Sequence, residues 1–231
     1  MIQIEQLTKT YGSETVLNIA ELAIPQGQCF GLVGNNGAGK TTLFRLMLDL
    51  IAPTSGRVLI NGRDVRENTD WKRYTGSYLD EHFLLGFLTP DEYFQYLAGL
   101  YGLSPEDLQQ HLARFEVLFN AEITGKKKYI RDLSKGNIKK TGIASALIGH
   151  PDVVLLDEPF ENLDPTSQIR LKNLIQQEIA ERNVTFLVSS HDLNHITDMC
   201  NRVVVLEKGL VVRDVRGDRQ QIESVKEYFL G

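Results

Sequence analysis

The run Gly34-Asn35-Asn36-Gly37-Ala38-Gly39-Lys40-Thr41 has the form G-x-x-x-x-G-K-[ST], with an additional glycine at position 37. Glycines at this spacing let a backbone turn its N–H groups inward around an anion. A lysine adds a full positive charge, and the hydroxyl beside it suits Mg²⁺. The expected ligand is the phosphate tail of a nucleotide, cradled from Gly34 to Thr41 and by Thr42, with Lys40 bearing on the reacting phosphate. A second motif, Val153-Val154-Leu155-Leu156-Asp157-Glu158, is an apolar strand signal ending in two acids. Asp157 is expected to hold Mg²⁺ through water. Glu158, next in line and pointing elsewhere, is expected to polarise the attacking water as general base. Apolar residues followed by Asp-Glu are common at ordinary strand ends, so this motif gains its meaning from the phosphate loop.

Such a loop needs a strand leading in and a helix leading out. The apolar segment Cys29–Val33 and the amphipathic segment 41–50 supply them. Further strand signals fall at 2–7, 28–33 and 57–60, the last followed by an Asn61-Gly62 turn. From about residue 89 to 149 the pattern becomes helical, with periodicity at 91–101 and 105–119 and a basic run at 126–128, which reads as an inserted helical subdomain. Beyond Pro151, two near-continuous apolar runs, Val153–Leu156 and 184–188, flank the amphipathic segment Pro165–Arg182. That is the β-α-β rhythm of a buried parallel sheet.

The 231 residues suffice for one large domain or a core with a subdomain, and the formal net charge of -5 gives no basic field toward nucleic acid or an anionic membrane. Lysines 126–128 and Lys139-Lys140 lack interleaved aromatics and read as a solvated face. Cys29 and Cys200 have neither CxxC spacing nor a dense framework, and read as buried, reduced packing residues. The N-terminus alternates like a strand rather than a secretory signal, and no run approaches the ~18 apolar residues of a spanning helix. The chain is expected to stay in the cytosol, with any membrane role running through a partner.

Leu133-Ser134-Lys135-Gly136-Asn137, placed just before the Asp-Glu motif, resembles the signature sequence of ABC ATPases. It departs from the usual LSGGQ at Lys135 and Asn137. The resemblance covers essentially the whole chain, in the expected order. It implies an α/β fold: a P-loop NTPase core with a mixed β-sheet, an N-terminal antiparallel β region and an inserted helical subdomain. The division is a nucleotide-binding core at 1–78 and 150–231 and a helical subdomain at 79–149.

By the same resemblance Tyr11 stacks on adenine, Ser134 and the Gly136 backbone contact the γ-phosphate bound by a second subunit, and His191 is the switch histidine on the γ-phosphate. Glu158, His191 and Lys40 are then the catalytic residues. Glu161-Asn162-Leu163-Asp164 resembles the D-loop that crosses the dimer interface, although Asp164 is equally compatible with a helix N-cap. Glu81, in Tyr78-Leu79-Asp80-Glu81, falls where the family usually has a glutamine, and joins Thr41 and Asp157 as a metal candidate.

The implied function is the ATP-binding and ATP-hydrolysing subunit of an ABC transporter, with ATP and Mg²⁺ as cofactors. It would work as a homodimer, or as a heterodimer with a related ATPase subunit, on the inner face of the cell membrane through a separate membrane permease. Residues 83–87 are candidate contacts for that permease, and no nucleic acid is expected. The pattern around 88–103 looks like the ABC-2-type exporter branch. One competing reading is a soluble, non-transport ABC ATPase of translation, DNA repair or iron–sulfur assembly. Translation members usually carry two cassettes on one chain and repair members long coiled coils, neither of which fits 231 residues. Another is a noncatalytic ATP-binding subunit, against which Lys40, Asp157, Glu158 and His191 all stand.

Overall fold

The computed structural model describes residues 2–217, 219–223 and 225. Strands β1 (Ile2–Tyr11), β2 (Glu14–Ile24), β4 (Ser55–Ile60) and β5 (Arg63–Asp64) form an antiparallel sheet in the order β2-β1-β4-β5. The Asn61-Gly62 turn closes the β4–β5 hairpin as expected, with both residues at positive φ. Strands β3 (Cys29–Val33), β6 (Thr75–Tyr78), β7 (Val153–Leu156), β8 (Thr185–Ser190), β9 (Arg202–Glu207) and β10 (Leu210–Arg216) form the second sheet, ordered β10-β9-β3-β8-β7-β6. It is mixed: β10 alone is antiparallel to its neighbour.

Both faces of this second sheet are buried, which is why its strands read as continuous apolar runs. Phe30, Leu32, Val153, Leu155, Leu187, Val204 and Leu206 join the core shared with the antiparallel sheet and α1 (Lys40–Met47). Their alternates Val33, Val154, Leu156, Phe186, Val188, Val203 and Val205 join a second core with the helices of the opposite face. Among those helices is α6 (Pro165–Arg182), capped by the Asp164 side chain, which accepts from Ser167 N at 3.0 Å.

Between β6 and β7 the chain passes through α2 (Pro90–Tyr101), α3 (Pro105–Ala113), α4 (Glu116–Phe119) and α5 (Lys135–Ala146). Thr89-Pro90 and Ser104-Pro105 open α2 and α3 with full capping boxes, closed by Glu92 and Asp107. The periodic segment 105–119 is not one helix. Arg114 N and Phe115 N bond back three residues, to His111 O and Leu112 O, and this tightening ends α3 before α4 begins. Similarly, α1 stops at Met47, short of the expected 50, because Asp49 takes a positive φ.

Cys29 and Cys200 are buried free thiols, as expected. Lysines 126–128 are exposed, but the solvated-face reading of Lys139 and Lys140 is overturned: both are buried, at 8% and 4% exposure. The reason is the position of α5, which is covered along its length from Ile138 to Ala144, so both side chains leave from a packed helix surface rather than a solvated one. Among the described residues no helix is long and apolar enough to cross a membrane.

Candidate functional site

Neighbouring parallel strands deliver the candidate residues at their carboxyl ends. The phosphate loop follows β3, His191 follows β8, Asp157 and Glu158 follow β7, and Glu81 lies just beyond β6. This edge of a parallel sheet is where α/β folds bind ligands.

The loop enters α1 through Gly39, whose φ of 104° is open to glycine and strained for other residues. Gly34 passes close under β9, where an added Cβ would stand 2.3 Å from Leu206 O. The loop is also braced from behind. The two-residue turn Lys208-Gly209, both at positive φ, joins β9 to β10; Gly209 N donates to Ala38 O at 2.9 Å and Asn18 N donates to Gly209 O at 2.8 Å. Ala38 N donates to Asn35 O at 3.0 Å, while Asn35, Asn36 and Gly37 are exposed at the tip. The first-turn amides of Lys40, Thr41 and Thr42 have no acceptor within α1, which leaves them available to an anion at the positive end of the helix dipole.

Lys40, 6% exposed, donates to Gly34 O at 2.6 Å and forms an ion pair with Glu158 Oε1 at 3.2 Å. The other carboxylate oxygen, Glu158 Oε2, accepts from His191 N at 3.2 Å and lies 3.0 Å from His191 Nδ1. Asp157 Oδ2 accepts from Thr41 Oγ1 at 2.5 Å, and Oδ1 accepts from Ser189 Oγ. Burial pushes the Asp157 carboxyl above the usual carboxylate range, opposed by the hydrogen bonds from Ser189 and Thr41. The structure therefore brings Lys40, Thr41, Asp157, Glu158 and His191 into one bonded constellation.

The other candidates stand around it. Glu81 shares a cavity of about 370 Å³ with Asp157, Glu158, Lys135 and Lys139, but its carboxylate is held by Lys135. Ser134, exposed, caps α5 by accepting from Asn137 N at 3.3 Å. Gly136 packs so closely against the turn after β7 that an added Cβ would lie 2.9 Å from Asn162 O. Tyr11 ends β1 on the antiparallel sheet, 52% exposed, with Lys9 Nζ 4.7 Å from its ring centroid. No hydrogen bond or ion pair among the described residues joins Tyr11 or Ser134 to the Lys40–Glu158 constellation.

The ABC transporter family profile matches residues 17–161. The chain belongs to the ABC transporter family. This ABC cassette is 35% identical over 190 residues to the uncharacterised ABC transporter ATP-binding protein sll0415 of Synechocystis sp., covering 81% of the chain and 53% of that relative. It is 34% identical over 222 residues to the bacitracin transport ATP-binding protein BcrA of Enterococcus faecalis, covering 93% and 69%. The chain thus spans about half the length of the first relative and over two thirds of the second. The dimeric post-hydrolysis structure of the ATP-binding cassette MJ0796, bound to ADP and Pi, matches it with a TM-score of 0.82 at 26% identity, covering 94% of this chain and 98% of that one.

Sequence reasoning missed two residues of this ABC site. Ser189 donates to Asp157 and accepts from Glu158 N at 2.9 Å, and a serine closing a buried apolar strand was its only signal. Lys139 donates to Glu158 O at 2.6 Å and lies 3.9 Å from Glu161 Oε2. Burial pushes its ammonium below the usual lysine range, while Glu161, Glu158, Asp157 and Asp80 oppose that shift. Its spacing of four from Lys135 on one helix was the available cue.

Proposed function

We propose that this ABC cassette binds ATP with Mg²⁺ and hydrolyses it, driving a separate membrane permease. The observation that carries this reading is the ion pair of Lys40 with Glu158, whose other oxygen is bound by His191, at the mouth of a helix-capped phosphate loop. The loop amides and Lys40 hold the phosphates, with Thr42 beside them, and Tyr11 offers a ring to the base. Glu158, freed from Lys40 once phosphate takes that ammonium, accepts the proton of the attacking water. His191, already bonded to Glu158, fixes its direction and faces the terminal phosphate.

The residues present fit Mg²⁺. Thr41 Oγ1 and Asp157 Oδ2 form a hard-oxygen pair 2.5 Å apart, and Mg²⁺ takes few protein ligands when phosphates supply the rest. When bound, the ion supplies charge neutralisation at the phosphates. Glu81 remains a metal candidate only once released from Lys135.

The core at 1–78 and 150–231 and a helical subdomain at 79–149 are part of this reading. So are pairing with a second cassette, identical or related, through Ser134, Gly136 and Asp164, and residence on the inner face of the cell membrane. The dimeric form of MJ0796 supports the pairing of cassettes. Phe83 and Phe87, 55% and 60% exposed, suit the permease contact. Bacitracin transport, named for BcrA, supports a role in transport.

The test is Glu158→Gln. Binding of ATP should persist while turnover falls roughly 100- to 10,000-fold, and turnover at the wild-type rate would sink the base assignment. Co-purification of this variant with ATP and Mg²⁺ from solubilised membranes should bring down a multi-spanning chain; recovery of soluble partners alone would favour the non-transport alternative.

A further inference from the structure

Glu158 stands at a backbone φ of 46°. For a residue with a Cβ this left-handed conformation is disfavoured, and it persists only where the surroundings over-determine it. The surroundings here can be named atom by atom. On one side Glu158 N donates to Ser189 Oγ at 2.9 Å. On the other, Glu158 O accepts from Lys139 Nζ at 2.6 Å and, at the longer distance of 3.3 Å, from Glu161 N within the same turn. The carboxylate leaving this backbone reaches Lys40 and His191.

Lys139 is well suited to that clasp. It projects from the second turn of α5, is 8% exposed, and makes a charge-assisted hydrogen bond to a neutral carbonyl. Neutralising Glu161 is not its main business, since that carboxylate is 55% exposed and its oxygen is 3.9 Å away. The same helix meets the same turn again at Gly136 beneath Asn162 O. Lys135, one helical turn earlier, leaves for Glu81 instead. Helix α5 thus braces the turn after β7 by one tight backbone approach and one buried ammonium.

We infer that Lys139 is a positioning residue for hydrolysis: by holding the Glu158 carbonyl it keeps the left-handed turn that aims the Glu158 carboxylate at the reacting phosphate. It acts through Glu158, whose carbonyl it holds. The inference rests on the reading of Glu158 as the base. It also ties the orientation of α5, whose first residues form the signature motif, to the geometry of the base within one chain.

The experiment compares full-length Lys139→Met, which keeps the stem without a donor, with Lys139→Gln, which keeps an N–H donor. Steady-state ATP hydrolysis gives kcat and KM, a fluorescent ATP analogue gives binding, and thermal unfolding gives stability. For Met, kcat should fall roughly 10- to 100-fold, the scale of a small misplacement of a reacting group, with KM and analogue binding unchanged; Gln should recover most of kcat. Wild-type kcat in Met, or equal losses in Met and Gln that track a lowered unfolding temperature, would overturn the inference. If Met does not fold, Gln decides: near-normal kcat supports the clasp and a loss overturns it. Glu158→Gln, run alongside, separates the two failures: its full activity removes the base and this inference with it, whereas its inactivity beside a fully active Lys139→Met removes this inference alone.

Discussion

The ammonium of Lys135 is held by the carboxylate of Glu81, 54 residues earlier in the chain. Each stands where the ABC pattern ordinarily has an uncharged residue, and each charge answers the other across the cavity beside Glu158. Two departures that looked independent in the sequence are one pair in space. The Lys135 side chain is 65% exposed and that of Glu81 29%, so the pair is a surface contact with a modest energy. A double-mutant cycle with Glu81→Gln and Lys135→Gln, read by urea unfolding, should give a coupling of about 0.5 kcal/mol that shrinks as salt is added. No coupling at low ionic strength would mean that the two side chains do not meet in solution.

Gly76 lies in β6 where α5 ends against it, and an added Cβ would stand 1.7 Å from the backbone oxygen of Ala146. A carbonyl on a packed helix end cannot swing aside as a flexible side chain would. Gly76→Ala should therefore destabilise the fold by about 1–3 kcal/mol, seen as a lower denaturation midpoint. Stability equal to the wild type would show that α5 and β6 stand further apart than described.

His111 on α3 is buried, with Nε2 on Ala144 O at 3.1 Å and Nδ1 without a hydrogen-bond partner among the described residues. Burial, helped by Arg114, His150 and Arg182, lowers its pKa from 6.5 to about 4. Between those values the unfolded chain binds a proton that the folded chain refuses. Stability is therefore whole above pH 6.5 and declines as pH falls toward 4, by about 3 kcal/mol over the full window. His111→Gln, which keeps a donor for Ala144, should flatten that decline in denaturation curves taken from pH 7 to 4.5. An unchanged slope would assign the acid sensitivity to other groups.

The phosphate loop, the Asn61-Gly62 hairpin and helix α6 were legible because each is specified locally, by glycines, turn residues or an Asp-Pro cap. Strand β2 was not anticipated. Its sequence ETVLNIAELAI mixes good helix formers with β-branched residues, and pairing along β1 settles the matter. The buried lysines were misread for a related reason: charge in sequence argues for water, and only the fold shows that Lys139 ends on a backbone carbonyl. Ser189 and the Lys135–Glu81 pair likewise depend on which strand ends become neighbours, information spread over the whole chain.

The clasp of the Lys208-Gly209 turn on Ala38 and Asn18 gives the phosphate loop a fixed backing before any nucleotide arrives. Association then resembles pressing a seal into set wax rather than gathering a loose thread. Little chain entropy would remain to be lost on encounter, so affinity would report the contacts themselves, and substitutions at the β9–β10 hairpin, which holds the loop from behind at Ala38, would act on nucleotide capture by softening the mould.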